Sequence, residues 1–340
     1  MKKVGILTIF GEYNYGNRLQ NYAVQRVLEK MELDVETIKY MSLDVNDFND
    51  NQKRLSLFQE FNKNIKFCED ELHINATEIP ASMNEFDYVV IGSDQIWNFT
   101  FDKLFSSKVF ADFVPKHKRI SFSASFGVSF TPNDEKIYDI CKNNLEEIKA
   151  ISVREDAGKD IVEKITGRND VEVLIDPTMM LDSTEWEKLA KRPEQLKTDK
   201  FILKGFLGNV SEKQEDELKR IAEENDCEII DILDKNSPFY ETGPAEFLYL
   251  EKNAFLVATD SFHSCVFATL FSTPFVVFKR DDKLASMNSR IETLLSKLDM
   301  KNRFCESKIG QDILSNDYSK QFKILEQERV KVKEFFNKNI

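Results

Sequence analysis

Several things this chain of 340 residues lacks narrow its function first. It has five cysteines (Cys68, Cys141, Cys227, Cys265 and Cys305), odd in number, scattered and without a CxxC pair, which argues against both a disulfide framework and a zinc site. No apolar run approaches the roughly 20 residues that span a bilayer, so no transmembrane segment is expected. The start, Met1-Lys2-Lys3-Val4-Gly5-Ile6-Leu7, enters a strand pattern without a signal-type cleavage region, and a cytoplasmic protein is expected. No turn has the spacing of GxGxxG or of a P-loop, so a dinucleotide or NTP site is not indicated, and no GxSxG elbow supports a serine hydrolase at Ser261. Internal repeats and low-complexity segments are missing too. Positive charge is in deficit: the formal net charge of −12 opposes nonspecific binding to nucleic acid or anionic membrane, and neither is an expected partner. An anionic ligand then has to be held by a few local cations, which makes individual arginines worth locating.

Hydrophobic residues make up 41% of the chain, ample for packed cores, and the length exceeds what one core usually fills, so two domains are expected. Apolar β-rich runs at 4–10, 35–38, 86–92, 119–125, 150–153 and 171–175 alternate with helical spacing at 19–31, 133–149 and 154–165. The polar stretch 42–79 reads as an insertion over the sheet, helical in its middle. After a break at Asp176-Pro177 and Asp182-Ser183-Thr184 the alternation restarts, with strands at 201–207, 228–233, 254–258 and 274–278 and helices at 211–225, 244–252, 264–271 and 288–297. The expectation is an α/β chain of two Rossmann-like doubly wound domains facing a cleft. They cover 1–180 and 181–310, with a charged helical segment, 311–340, crossing back to pack on the first.

The chemistry-bearing residues stand where strands end. Thr259-Asp260-Ser261-Phe262-His263 places one of only three histidines between a buried strand and a helix. In open α/β sheets that edge binds ligands, and a helix start offers free N–H groups to an anion. His263 is there either a ligand-facing residue or a partly buried cap. The turn 11–18 sets Asn14, Asn17 and Arg18 for hydroxyls or phosphate, with Tyr13 and Tyr15 to stack on a sugar; ordinary turn chemistry is the alternative. Gly92-Ser93-Asp94-Gln95-Ile96-Trp97-Asn98 combines dense hydrogen-bonding groups with an aromatic, a mixture suited to carbohydrate. It also reads as a capping turn with Trp97 in a local core. Arg154 closes the strand 150–153 and is expected to emerge at the mouth as a carboxylate or phosphate fork, unless Glu155 or Asp156 pairs with it. Lys279, Arg280 and Arg290 follow the His263 unit and can complete an anion pocket; Arg280, beside Asp281 and Asp282, is otherwise surface charge.

Taken in order, NYGNRLQNYA (14–23), GSDQIWN (92–98), SVRE (152–155), DPT (176–178) and TDSFH (259–263) resemble the polysaccharide pyruvyl transferase family. The resemblance covers roughly residues 4 to 300. It implies a GT-B-like arrangement, phosphoenolpyruvate as donor and co-substrate, no cofactor and no metal. The sugar acceptor, nucleotide- or lipid-linked, would receive a pyruvate ketal on two hydroxyls in surface polysaccharide biosynthesis. Carried over by position, the catalytic set is His263, Arg154 and Asp94. Ser261, Ser264, Arg280, Asn288 and Arg290 fall in the donor pocket, while Asn14, Tyr15, Asn17, Arg18, Ser93, Gln95, Trp97 and Asn98 face the acceptor. Two positions depart from the family pattern: Ser264 stands where many members have glycine, and Ser261 where others have a basic residue, a charge that Arg280 or Arg290 would then replace. His263 suits proton transfer near neutrality, with Arg154 and Arg290 neutralising carboxylate and phosphate. Two facing Rossmann-like domains equally serve a glycosyltransferase using a nucleotide sugar, and a noncatalytic carbohydrate-binding protein is a further alternative.

Overall fold

Apolar runs without alternation become parallel strands buried on both faces, as such runs should. A computed structural model describes residues 1–11, 13–41, 51–101, 103–280, 288–306 and 308–340. It divides into two units, one of Met1–Phe48, Asn62–Leu181 and Gln327–Ile340, the other of Asn49–Phe61 and Asp182–Glu326. In the first unit, β1 (Lys3–Ile9), β2 (Asp34–Met41), β3 (Phe67–His73), β4 (Tyr88–Ile91) and β5 (Arg119–Ser121) form a parallel sheet in the order β3-β2-β1-β4-β5. A short pair, β6 (Ser152–Val153) and β7 (Glu172–Val173), extends it through the parallel bridges Ile120–Ala150 and Ala124–Val153. Helices α1 (Tyr15–Glu29), α3 (Glu135–Leu145) and α4 (Asp156–Thr166) connect the strands. The chain winds outward in both directions from β1 and β4, so the turns after these two neighbours flank the switch point of the sheet.

Two details differ from the strand reading. The expected strand 119–125 is regular only through Ser121, because serine side chains replace the ladder beyond it: Ser152 Oγ donates to Ser121 O at 2.8 Å and accepts from Ser123 N at 2.9 Å. Within 42–79, the helix exists as α2 (Gln52–Asn62), but Phe67–His73 is the edge strand β3. Its charged centre, Glu69-Asp70-Glu71, lies exposed, which is how an edge strand avoids pairing with another chain and also why it reads as loop. Residues 42–50 lie outside the described ones.

Nearly all of α2 belongs to the second unit, not to the unit of the first sheet. The buried Arg54 guanidinium stacks on the Phe58 and Tyr240 rings, 5.3 and 4.6 Å from their centroids, and donates to Tyr240 O at 2.8 Å. A side chain at Gly243 would put its Cβ 2.6 Å from Leu57 Cβ, so glycine lets α2 close on that surface. The second sheet, β8 (Phe201–Gly205), β9 (Glu228–Asp231), β10 (Leu256–Thr259) and β11 (Phe275–Val277), is parallel in the order β11-β10-β8-β9, with its switch point between β8 and β10. Around it lie α5 (Ser183–Glu187), α6 (Glu212–Asn225), α7 (Pro244–Asn253), α8 (Phe262–Leu270) and α9 (Asn288–Lys297). Every residue of α8 is buried, as its apolar composition on all sides requires. The final helix, α10 (Ser319–Asn339), ends in the first unit, where Arg329 donates to Met179 O and Leu181 O and Phe336 packs edge-on against Phe122. Among the described residues no helix is long and apolar enough to cross a membrane.

Candidate active site

In the first unit the two turns at the switch point meet through side chains. Asn14 caps α1 by accepting from Asn17 N at 3.0 Å. Asn17 Oδ1 accepts from Gly11 N and from Arg18 Nε and Nη2, while its Nδ2 donates to Asp94 Oδ2 at 3.3 Å. Asp94 follows β4 with φ +68°, a left-handed conformation that aspartate tolerates better than most residues. Its other oxygen lies 3.7 Å from Arg154 Nη2. Arg154 Nη1 donates to Asp176 Oδ2 at 2.8 Å, and Ser93 Oγ donates to that same oxygen, also at 2.8 Å. Asp176 Oδ1 accepts from Thr178 N and Oγ1, so four donors hold this buried carboxylate. Glu155 stands 3.9 Å from Arg154 Nε and is itself anchored by Ser125 Oγ, Phe126 N and Gly127 N. Burial disfavours the Arg154 charge, but the carboxylates of Asp176, Asp94 and Glu155 outweigh it and keep the guanidinium cationic.

These contacts correct several expected roles. The Arg154 side chain is 1% exposed and does not emerge at the mouth; its chief partner is Asp176, from the turn after the neighbouring strand β7, rather than Glu155 or Asp156. Trp97 is fully buried, its indole N–H donating to Val109 O at 3.1 Å and its ring packed on Phe110 and Phe126, so it cannot stack on a ligand. Asn98 closes its own turn with Thr100, and Ser93, Asn17 and Arg18 are buried, the last lying over the Phe10 ring. Tyr15, in the first turn of α1, is buried as well. These residues and the buried Asp94 build the platform; Asn14 is exposed and Tyr13 and Gln95 are half-buried. Asp176 and Glu155 were missed as organisers, although an acid at a strand end opposite an arginine at another was a usable signal.

In the second unit Asp260 has the corresponding part. It accepts from Leu207 N and Gly208 N at 2.7 and 2.8 Å, which draws the turn after β8 across the switch point, and from Arg280 Nε at 3.0 Å. Arg280 is therefore a buried ion-pair member, not surface charge, and its backbone is clasped in both directions by the Asn288 side-chain amide. Ser261 is the N-cap residue of α8 but its hydroxyl does not cap the helix. His263, 7% exposed, follows in the first turn, its ring edge-on to Phe262. Ser264 turns the other way and donates to Glu251 Oε1 at the end of α7. Burial pushes the Glu251 carboxyl well above the usual carboxylate range, against the smaller opposing effect of the Ser264 hydrogen bond. Ser264 thus supports the helix rather than the mouth. Arg290 is buried on the first turn of α9. His263 and Arg290 belong to the second unit, Arg154 and Asp94 to the first. Among the described residues no group of His, Cys, Asp and Glu is arranged to hold a metal ion.

The polysaccharide pyruvyl transferase family model matches residues 14–282, and the chain belongs to that family, a class of carbohydrate-modifying transferases. The match spans the five motifs from 14–23 to 259–263. No curated protein matches the chain in sequence. Among solved structures it is similar to a UDP-GlcNAc 2-epimerase from Methanocaldococcus jannaschii, with 16% identity, TM-score 0.53, and 96% of this chain and 92% of that one covered. It is also similar to a putative UDP-N-acetylglucosamine 2-epimerase from Listeria monocytogenes, with 14% identity, TM-score 0.51, and 99% and 97% covered. At these identities the likeness shows the fold, α/β with parallel sheets in the GT-B-like class.

Proposed function

We propose that this transferase moves the pyruvyl group of phosphoenolpyruvate onto two hydroxyls of a sugar, forming a pyruvate ketal in the cytoplasm during surface polysaccharide synthesis. The observation that carries the reading is the family match over 14–282. The start of α8 suits the donor: a helix N-terminus at the switch point of the second unit, left uncapped by Ser261, with His263 in its first turn. His263 gives a proton to the methylene carbon of phosphoenolpyruvate, one sugar hydroxyl adds to C2, and a second hydroxyl displaces phosphate. Arg290 neutralises donor charge, and Arg280 contributes what Asp260 leaves of its own. In the first unit, the acceptor side, Asp94 receives a sugar hydroxyl. Arg154, enclosed by three carboxylates, holds Asp94 in place instead of binding the donor. The reaction needs no cofactor, and the acceptor is nucleotide- or lipid-linked.

Phosphate release from phosphoenolpyruvate, screened against nucleotide- and lipid-linked sugars, tests this directly. Phosphoenolpyruvate at about one hundred times its dissociation constant should also stabilise the folded protein by roughly 2.7 kcal/mol. A melting shift with UDP or GDP and none with phosphoenolpyruvate would replace this reading by a nucleotide-sugar glycosyltransferase. Binding of both substrates without phosphate release would leave a carbohydrate-binding protein.

A further inference from the structure

We infer that Phe130 is the stacking face for a pyranose ring of the acceptor, an assignment that rests on the acceptor side proposed for the first unit and goes beyond it. Phe130 is 45% exposed, one of the large apolar side chains left in water among the described residues, along with Met1, Leu207 and Val330. It lies in the loop between β5 and α3, at the same carboxyl edge as the turn that carries Asp94. The two turns are joined by backbone: Ser125 N donates to Asp94 O at 2.9 Å and Trp97 N to Ser125 O at 3.1 Å. They also touch at Gly127, whose φ of +68° brings its backbone so close to the turn that a Cβ would stand 2.1 Å from Gln95 Oε1. Phe130 follows three residues after Gly127, in a loop thus tied to the turn that carries Asp94 and Gln95.

The ring also has a fixed base. Phe130 meets Phe99 edge-to-face at 5.7 Å, Phe99 packs on Phe126 at 6.5 Å, and Phe126 packs on Trp97 at 5.3 Å. One end of this aromatic series is buried and the other faces water in the loop that is tied to the Asp94 turn. A flat apolar face at the carboxyl edge proposed as the acceptor side matches a hexopyranose, which presents a C–H face to an aromatic ring and hydroxyls around its rim. The aromatic part that the sequence assigned to Trp97 thus falls to Phe130.

Saturation-transfer NMR with the methyl hexopyranosides of glucose, galactose and mannose tests the assignment on the full chain. Wild type should show transfer to ring C–H protons of at least one of them. Phe130→Ala and Phe130→Leu should bind it roughly tenfold more weakly, and Phe130→Tyr or Phe130→Trp should retain it. All four variants should melt near wild type and keep the phosphoenolpyruvate shift, since the ring is half in water. Wild-type affinity in Phe130→Leu would overturn stacking, as would the absence of hexopyranoside binding by wild type. A missing phosphoenolpyruvate shift in wild type bears on the ketal reading alone, so the two failures are distinguishable.

Discussion

Replacing Glu251 by glutamine should stabilise the second unit by an amount that grows with pH. The Glu251 carboxyl is fully buried, and burial raises it well above its ordinary 4.5; only the Ser264 hydroxyl bond opposes the shift. In the folded state it keeps a proton that the unfolded chain releases. Above 4.5 the folded form thus binds more protons than the unfolded, and the stability contributed by the protonated group falls as pH rises toward the folded value. The slope is 2.303RT, about 1.4 kcal/mol per pH unit while pH lies between the two values. Glutamine has the same shape, accepts from Ser264 in the same way and does not titrate. Any fixed cost of its amide is an offset that leaves the slope intact. The advantage of Glu251→Gln should therefore grow with pH above the ordinary 4.5, by no more than about 1.4 kcal/mol per unit, when measured from acid to neutral pH. Each unit has one of the two tryptophans, Trp97 in the first and Trp186, edge-on to Phe267 of α8, in the second. Urea titrations in a Trp97→Phe background thus report on the second unit through Trp186. A gap between variant and parent that stays constant across this range would refute a buried neutral carboxyl.

His263→Gln should lower phosphate release about 10²- to 10⁴-fold while preserving the melting shift with phosphoenolpyruvate; a stable variant losing less than about tenfold would remove His263 from proton transfer. Asp176→Asn removes the carboxylate charge and one of its two acceptor oxygens, so either the Arg154 and Ser93 pair or Thr178 meets an amide N–H2, and the buried guanidinium loses its chief counter-charge. It should destabilise the first unit by about 3–5 kcal/mol, read by Trp97 fluorescence in denaturant, and a loss under about 1 kcal/mol would show that Asp94 and Glu155 suffice for the charge.

Residues close together in the chain made much of this protein legible. Val4 to Leu7, Val89 to Ile91 and Leu256 to Ala258 are apolar without a break, as a parallel strand buried on both faces should be. Polar turns after such strands placed the Asn14–Arg18, Ser93–Asn98 and Ser261–His263 groups at carboxyl edges, because a parallel strand has to hand the chain to a helix there. β3 escaped notice because an edge strand with exposed acids has the composition of a loop. What each side chain does at those edges depended on partners far away in sequence. Arg154 at the end of β6 reads as a ligand fork until the fold sets Asp176 against it, and Trp97 reads as a sugar platform until Val109, Phe110 and Phe126 enclose it. Local pattern determined the elements and the edge where chemistry can occur, since hydrophobic period and turn residues act over a few positions. Burial and charge pairing are sums over neighbours that only the packed chain assembles, so the tertiary structure alone decided which groups support the site and which remain for a ligand.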